Sequence, residues 1–139
     1  MDKRHVVTCF LEHDGEIMIL RRSERVGTYQ GKWAGVSGYI EEDSSALEQA
    51  WTEIKEEVGM DRDDVELVRK GQPLEVVDAE LGRKWIVHPF RFRVARPETI
   101  KIDWEHTERK WIAPEDIGRH DTVPKLREAW QQVSSQSLL

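Results

Sequence analysis

One stretch limits this chain more than any other: Gly38 to Met60, a loop opening and closing on glycine around a helix with three carboxylates near its end. Asp43, Ser44 and Ser45 are N-cap residue types, and Ser45 with Glu48 has the spacing of a capping box. Ala46, Leu47, Ala50, Trp51, Ile54 and Val58 recur at helical spacing as one apolar stripe. Gly59 falls where a helix C-cap glycine belongs. The pattern predicts a helix over 45–58. Glu53 and Glu57 lie one turn apart on it, and Glu53 and Glu56 are also neighbours. All three crowd the helix C-terminus, where the macrodipole disfavours negative charge. Like-charge neighbours cost about 0.2–0.5 kcal/mol per pair. A solvated acidic face is the ordinary explanation of such a helix, but nothing in it offsets that cost. A hard divalent cation would, and Mg²⁺ suits a few carboxylates beside a phosphate.

The loop and both glycines decide between these explanations. The stretch resembles the Nudix hydrolase family, whose box runs glycine, five residues, glutamate, seven residues, then arginine, glutamate, an aliphatic residue, any residue, two glutamates, any residue, glycine and an aliphatic residue. The chain matches at Gly38, Glu53, Ile54, Glu56, Glu57, Gly59 and Met60, with every spacing kept. It departs at Ser44, where the family has glutamate, and at Thr52, where it has arginine. In the family those two residues brace each other, so losing both leaves no unpaired charge. Ser44 and Thr52 are expected to form a neutral replacement.

The resemblance implies an α/β/α sandwich around a mixed sheet. Residues alone give an α+β or mixed α/β layered domain. The predicted order is three strands, a helix, three strands and a closing helix. Strands are expected over 6–11 and 17–20, joined at Asp14-Gly15, then over 33–40, 65–70, 74–77 and 85–94. A strand beginning at Trp111 is expected by resemblance. Pro114 begins a short turn, and Thr122 is expected to cap a helix with Pro124 in its first turn. Residues 136–139 are expected to fray. The whole chain, 1–139, reads as one domain.

The implied reaction is Mg²⁺-dependent hydrolysis of a diphosphate linkage in a nucleoside diphosphate derivative, with Mn²⁺ as the alternative ion. Glu53, Glu56 and Glu57 would hold the metal with the Ser37 carbonyl. Glu53, Glu57 or Glu105 would deprotonate or orient the attacking water. Glu105 precedes Trp111 by six residues and is the first choice of late glutamate; Glu108 is the second. Arg22 and Lys32 are the expected phosphate contacts, with Arg25 the one most readily explained as solvated. Of six tryptophans, Trp51 and Trp130 fall on helix core faces. Trp33, Trp85 and Trp104 fall near expected pocket edges, with Trp85 chosen for stacking on the substrate. The run Gly27–Glu41 with Asp103–Glu108 also looks like Nudix domains fused to initiation-factor-2B-like domains. That likeness does not fix a substrate. The competing reading is a catalytically idle Nudix-fold module that binds a nucleotide or a protein, and Ser44 and Thr52 support it. An isomerase on the same fold would need a cysteine at the pocket, and Cys9 sits in an apolar run suited to packing.

Composition narrows the partners. A net charge of −6 argues against nonspecific nucleic-acid or anionic-membrane binding. The expected partner is a small nucleotide or other diphosphate, with a homodimer left open. One cysteine and no long apolar segment fit a reducing, cytoplasmic setting.

Overall fold

The computed structural model describes residues 1–135; residues 136–139, expected to fray, lie outside the described part. Two twelve-residue strands form its spine, β1 (Asp2–His13) and β7 (Arg83–Val94). They pair in parallel from Asp2↔Arg83 to Glu12↔Arg93. Each shares its other edge between two shorter strands. Next to β1 lie β2 (Glu16–Arg22) and β4 (Val36–Tyr39), and next to β7 lie β5 (Val65–Lys70) and β6 (Leu74–Asp78), all antiparallel. β3 (Trp33–Ala34) and β8 (His106–Ile112) pair with β2 and complete an eight-stranded mixed sheet.

The β1–β2 turn has positive φ at both central residues, 50° at Asp14 and 82° at Gly15, the pairing that matches strand twist in a two-residue hairpin. Side chains alternate along β1 into two cores. Val7, Cys9 and Leu11 join Ala50, Ile54 and Val58 of helix α1 (Ala46–Val58). Phe10 joins Leu126 and Ala129 of helix α2 (Leu126–Gln131) on the other face. Burying each large apolar side chain contributes about 1.5–3 kcal/mol, and the two stripes fix one helix to each face. The arrangement is the layered α/β fold the box implies, and Cys9 is fully buried packing.

Three expectations need correction. The stretch over 33–40 is two strands, because the chain bends at Gly35, where a Cβ would lie 2.7 Å from the Cys9 carbonyl oxygen. The late strand starts at His106 rather than Trp111. Its Glu108, Arg109 and Lys110 look like loop residues but lie along the exposed side of β2's partner. The order is therefore four strands, a helix, four strands and a helix. The closing helix starts at Leu126, not near Thr122. Trp33 N–H donates to the Asp121 carbonyl and Val123 N–H to the Trp33 carbonyl, so this backbone is spent on a bridge to β3. Thr122 Oγ1 donates to the Val123 carbonyl instead of capping.

A buried ion pair, not foreseen, closes the second layer. Arg91 forks onto Glu12 at 3.0 and 2.9 Å and donates to the carbonyls of Val133 and Ser134. With every guanidinium nitrogen partnered, the pair ties the chain after α2 to the sheet, whereas removing one partner would strand a buried charge.

Candidate active site

Helix α1 is built as its sequence dictates. Ser45 Oγ accepts from Glu48 N–H at 3.1 Å, and Gly59 takes φ 72° and returns its N–H to the Lys55 carbonyl. These caps fix the helix phase, which decides where each glutamate points. Glu56 is exposed, Glu53 half-buried, and Glu57 faces inward with 1% exposure.

Gly38 is explained by Glu53. A Cβ at 38 would lie on the Glu53 carboxylate, 2.5 Å from both of its oxygens. Only glycine leaves that space open. Gln49 Nε2 holds Glu53 Oε2 at 2.8 Å, while Gln49 Oε1 accepts from Glu41 N–H. Gln49, a buried amide on the apolar side of the helix, thus ties the loop to the carboxylate; its polarity gave no sign of this. Ser44 and Thr52 do not meet each other. Ser44 Oγ donates to the Ser45 carbonyl and Thr52 Oγ1 to the Glu48 carbonyl, so the expected neutral replacement is not formed.

Glu57 is the least satisfied group in the site. Both of its oxygens are buried without a hydrogen-bond partner. Burial, then the adjacent Glu53, push its carboxyl well above the ordinary range. Burial also raises Glu53. An unpartnered buried carboxylate is costly, and this one has Glu53 beside it. Behind it sits His106, also unforeseen, with ring nitrogens 3.3 Å from Asp103 and 3.6 Å from Glu57.

Glu53 and Glu56 open onto a cavity of about 470 Å³. Ser37, Gly38, Arg22 and Glu105 line it as expected. Burial raises the Glu105 carboxyl, with Asp103 and Glu53 adding to it. Burial lowers Arg22, while Glu57 and Glu105 counter that. Arg22 Nε donates to the Thr28 carbonyl at 2.9 Å, so its fork is already oriented. Glu108 is on the exposed side of β8, paired with Arg21.

Lys32 corrects the expected phosphate set. Its ammonium sits on the Asp121 carboxylate at 2.8 and 3.0 Å, outside the cavity lining. Arg25 takes the opposite course: it lines the cavity, with its guanidinium 5.5 Å over the Trp104 ring. Away from the carboxylates the lining is apolar and aromatic, with Val6, Val76, Val87, Leu126 and Ala129 below and Tyr29, Tyr39 and Trp85 as walls. Trp85 was expected there and Tyr29 was not. Trp33 instead packs with the second core, edge-on to His120.

No three His, Cys, Asp or Glu side chains among the described residues converge closely enough to hold a metal ion together. The donors still suit an ion that keeps several waters and takes one or two carboxylates. Glu57 has two buried oxygens with no partner, and Glu53 lies over the space that Gly38 leaves. The site is open on the cavity side, where a diphosphate could complete it. Among the described residues no helix is long and apolar enough to cross a membrane.

Comparison with known proteins gives a consistent result. The family model described as NUDIX domain matches residues 1–133. A nucleoside triphosphatase, NudI of Escherichia coli, is 24% identical over 126 residues, 87% of this chain and 89% of the relative. The crystal structure of a MutT protein from Methanosarcina mazei Go1 superposes with a TM-score of 0.75 at 26% identity, covering 96% of this chain and 94% of that one. An Ap4A hydrolase from C. elegans, solved as a binary complex, has a TM-score of 0.74 at 16% identity, covering 96% of each chain.

Proposed function

The chain belongs to the Nudix hydrolase family as a Nudix-type pyrophosphohydrolase, and from that premise we propose that it is one domain hydrolysing a diphosphate linkage in a nucleoside di- or triphosphate derivative with Mg²⁺. The observation carrying this reading is the unpartnered carboxylate of Glu57, buried behind a Glu53 that lines a cavity with apolar and ring-bearing walls. Of the expected set, Glu53 and Glu57 would hold the ion, with Glu56 and Ser37 lining the cavity beside them. When bound, a divalent cation neutralises phosphate oxygens and makes a water more acidic.

The remaining work belongs to side chains. Arg22, fixed on Thr28 and facing the carboxylates, binds phosphate oxygens and offsets charge developing on them. Arg25 at the mouth supplies a second cation in place of Lys32. A carboxylate oxygen takes the proton of the attacking water. Glu105 is suited to it: it lines the cavity, sits outside the helix cluster, and has a raised affinity for a proton. The apolar end accepts the substrate's ring, with Trp85 as its wall. NudI's triphosphatase name supports a nucleotide substrate. The lone buried cysteine suits a cytoplasmic setting.

The test is a panel of nucleoside triphosphates, oxidised deoxynucleotides, dinucleoside polyphosphates, ADP-ribose and a pterin triphosphate, assayed with Mg²⁺ for phosphate or pyrophosphate release. Turnover of at least one, abolished by chelator, is expected. No release from any of them, with or without Mg²⁺ or Mn²⁺, would overturn the reading.

A further inference from the structure

Three described residues other than glycine have φ in the left-handed region: Asp14, Tyr29 and Lys125. Asp14 belongs to the hairpin turn. The other two line the cavity. For a bulky aromatic residue this conformation is unfavourable and persists only where surrounding contacts fix it. At Tyr29, with φ 51°, those contacts are specific. Its hydroxyl donates to Asp78 Oδ2 at 2.6 Å and accepts from Trp85 Nε1–H at 2.9 Å. Asp78 is itself fixed, because its Oδ1 accepts from Leu81 N–H at 3.2 Å in the β6–β7 turn.

These bonds cross the molecule. Tyr29 belongs to the loop joining β2 to β3, and Asp78 and Trp85 stand on the two strands of the β6–β7 hairpin. Within the loop, Gly31 N–H returns to the Arg22 carbonyl, Gln30 Nε2 to the Val26 carbonyl and Arg22 Nε to the Thr28 carbonyl. The loop is therefore a closed unit. Its side-chain hydrogen bonds to the hairpin among the described residues are the two made by the Tyr29 hydroxyl.

The geometry points to Tyr29 as a positioning residue that latches the 23–32 loop to the β6–β7 hairpin and holds Trp85 as a preformed wall for a planar ring. The polar edges of both rings are spent on the latch. A substrate ring on that wall therefore meets ring faces and not hydrogen-bonding edges, and is selected by shape and stacking area. The latch also withstands changes of pH. Burial, then the hydrogen bond to Asp78, raise the Tyr29 phenol to about 12, and the same bond lowers Asp78. The donor stays protonated and the acceptor ionised across the neutral range.

The inference takes this cavity as the substrate site and so rests on the proposed function, although the bonds themselves do not. Its test uses the full chain with Tyr29→Phe, Asp78→Ala and Asp78→Asn. Two readouts are compared: the Trp85 indole Nε1–H signal in nitrogen-15 NMR, and KM against kcat on a ring-bearing diphosphate from the panel. Tyr29→Phe is expected to move the indole signal and raise KM roughly tenfold, the scale of one charge-assisted hydrogen bond, with kcat within about threefold of the parent. Asp78→Ala, which leaves both rings in place, should do the same. Asp78→Asn keeps an acceptor for the phenol and should restore most of the parental KM. Tyr29→Phe and Asp78→Ala with parental KM and an unmoved indole signal would overturn the latch. If the parent binds no ring-bearing diphosphate, the proposed function fails, and the latch is then decided by the indole signal alone.

Discussion

The two ends of the cavity are built on opposite principles. At one end Glu53 lines the cavity from the last two turns of α1 with Glu57 buried behind it; burial raises both carboxyls, Glu53 raises Glu57 further, and Glu57 lacks any hydrogen-bond partner. At the other end every polar edge of the Tyr29–Trp85–Asp78 wall is paired. A site that must take up charge leaves its own charge unsatisfied, at a cost in stability. A site that must present a shape satisfies its polar groups so that only ring faces remain. Under the proposed function, binding energy for phosphates and selectivity for a ring would reside in different residues, and substitutions should separate them.

The largest expected effect is at the unsatisfied end. Glu53→Gln and Glu57→Gln should each lower kcat by at least about 100-fold, the scale of one electrostatic or acid–base contributor. Steady-state turnover on the panel substrate is the measurement, and parental kcat in both would mean the glutamates are a solvated face. Next comes Gly38→Ala. Its methyl group would take the space of the Glu53 carboxylate, and a displacement of about 1 Å at the reacting groups can cost about 100-fold. An activity within twofold of the parent would show that Glu53 has room to move aside.

A third comparison uses pH. The Glu57 and Glu53 carboxyls are raised from an ordinary 4.5, so the folded chain holds their protons more tightly than the unfolded chain does. That contribution is fully present below the ordinary carboxylate range and is lost as pH rises through the raised values. In chelator, Tm should therefore fall as pH rises above about 4.5, and Glu57→Gln should flatten the fall and melt at or above the parent near neutrality. A parental slope in Glu57→Gln would show that Glu57 is not the strained group. The smallest effects are expected where the structure removed a role: Lys32→Ala should leave KM within about twofold. Thr52→Ala should change stability by no more than about 0.5 kcal/mol, as for surface positions generally. Because Ser44 and Thr52 bond to their own helix, a double-mutant cycle for Ser44→Glu with Thr52→Arg tests whether a new pair can form there; coupling beyond about 0.5 kcal/mol would show that the two positions face each other.

The same contrast explains what could be read from the sequence. The acidic end was legible because helix periodicity, a capping serine and two glycines lie within one continuous stretch, and local rules suffice to place Glu53, Glu56 and Glu57. Hairpins were legible at Asp14-Gly15 for the same reason. The ring-walled end was not, since Tyr29 is 49 residues from Asp78 and 56 from Trp85, and nothing in the loop's composition announces a partner so distant. Lys32 and Arg25 are indistinguishable in sequence because both are basic residues in one polar loop, and only the tertiary position of Asp121 and Trp104 separates them. The first half of strand β8 carries no strand signal because its exposed positions accept charged residues and so lack apolar alternation. The start of the closing helix is not legible because Thr122 and Pro124 form a good capping pattern that loses to a backbone bridge with Trp33.

The measurement that bears most directly on the central claim, a cation site built on the unpartnered Glu57, is calorimetric titration of Mn²⁺ and Mg²⁺ into the parent and into Glu57→Gln, each with and without a nucleoside diphosphate. The account predicts saturable binding to the parent, tightened by the nucleotide and raising its Tm by mass action, and loss of most of that heat in Glu57→Gln. Superimposable titrations of the two proteins, or no binding to the parent even with the nucleotide present, would contradict it.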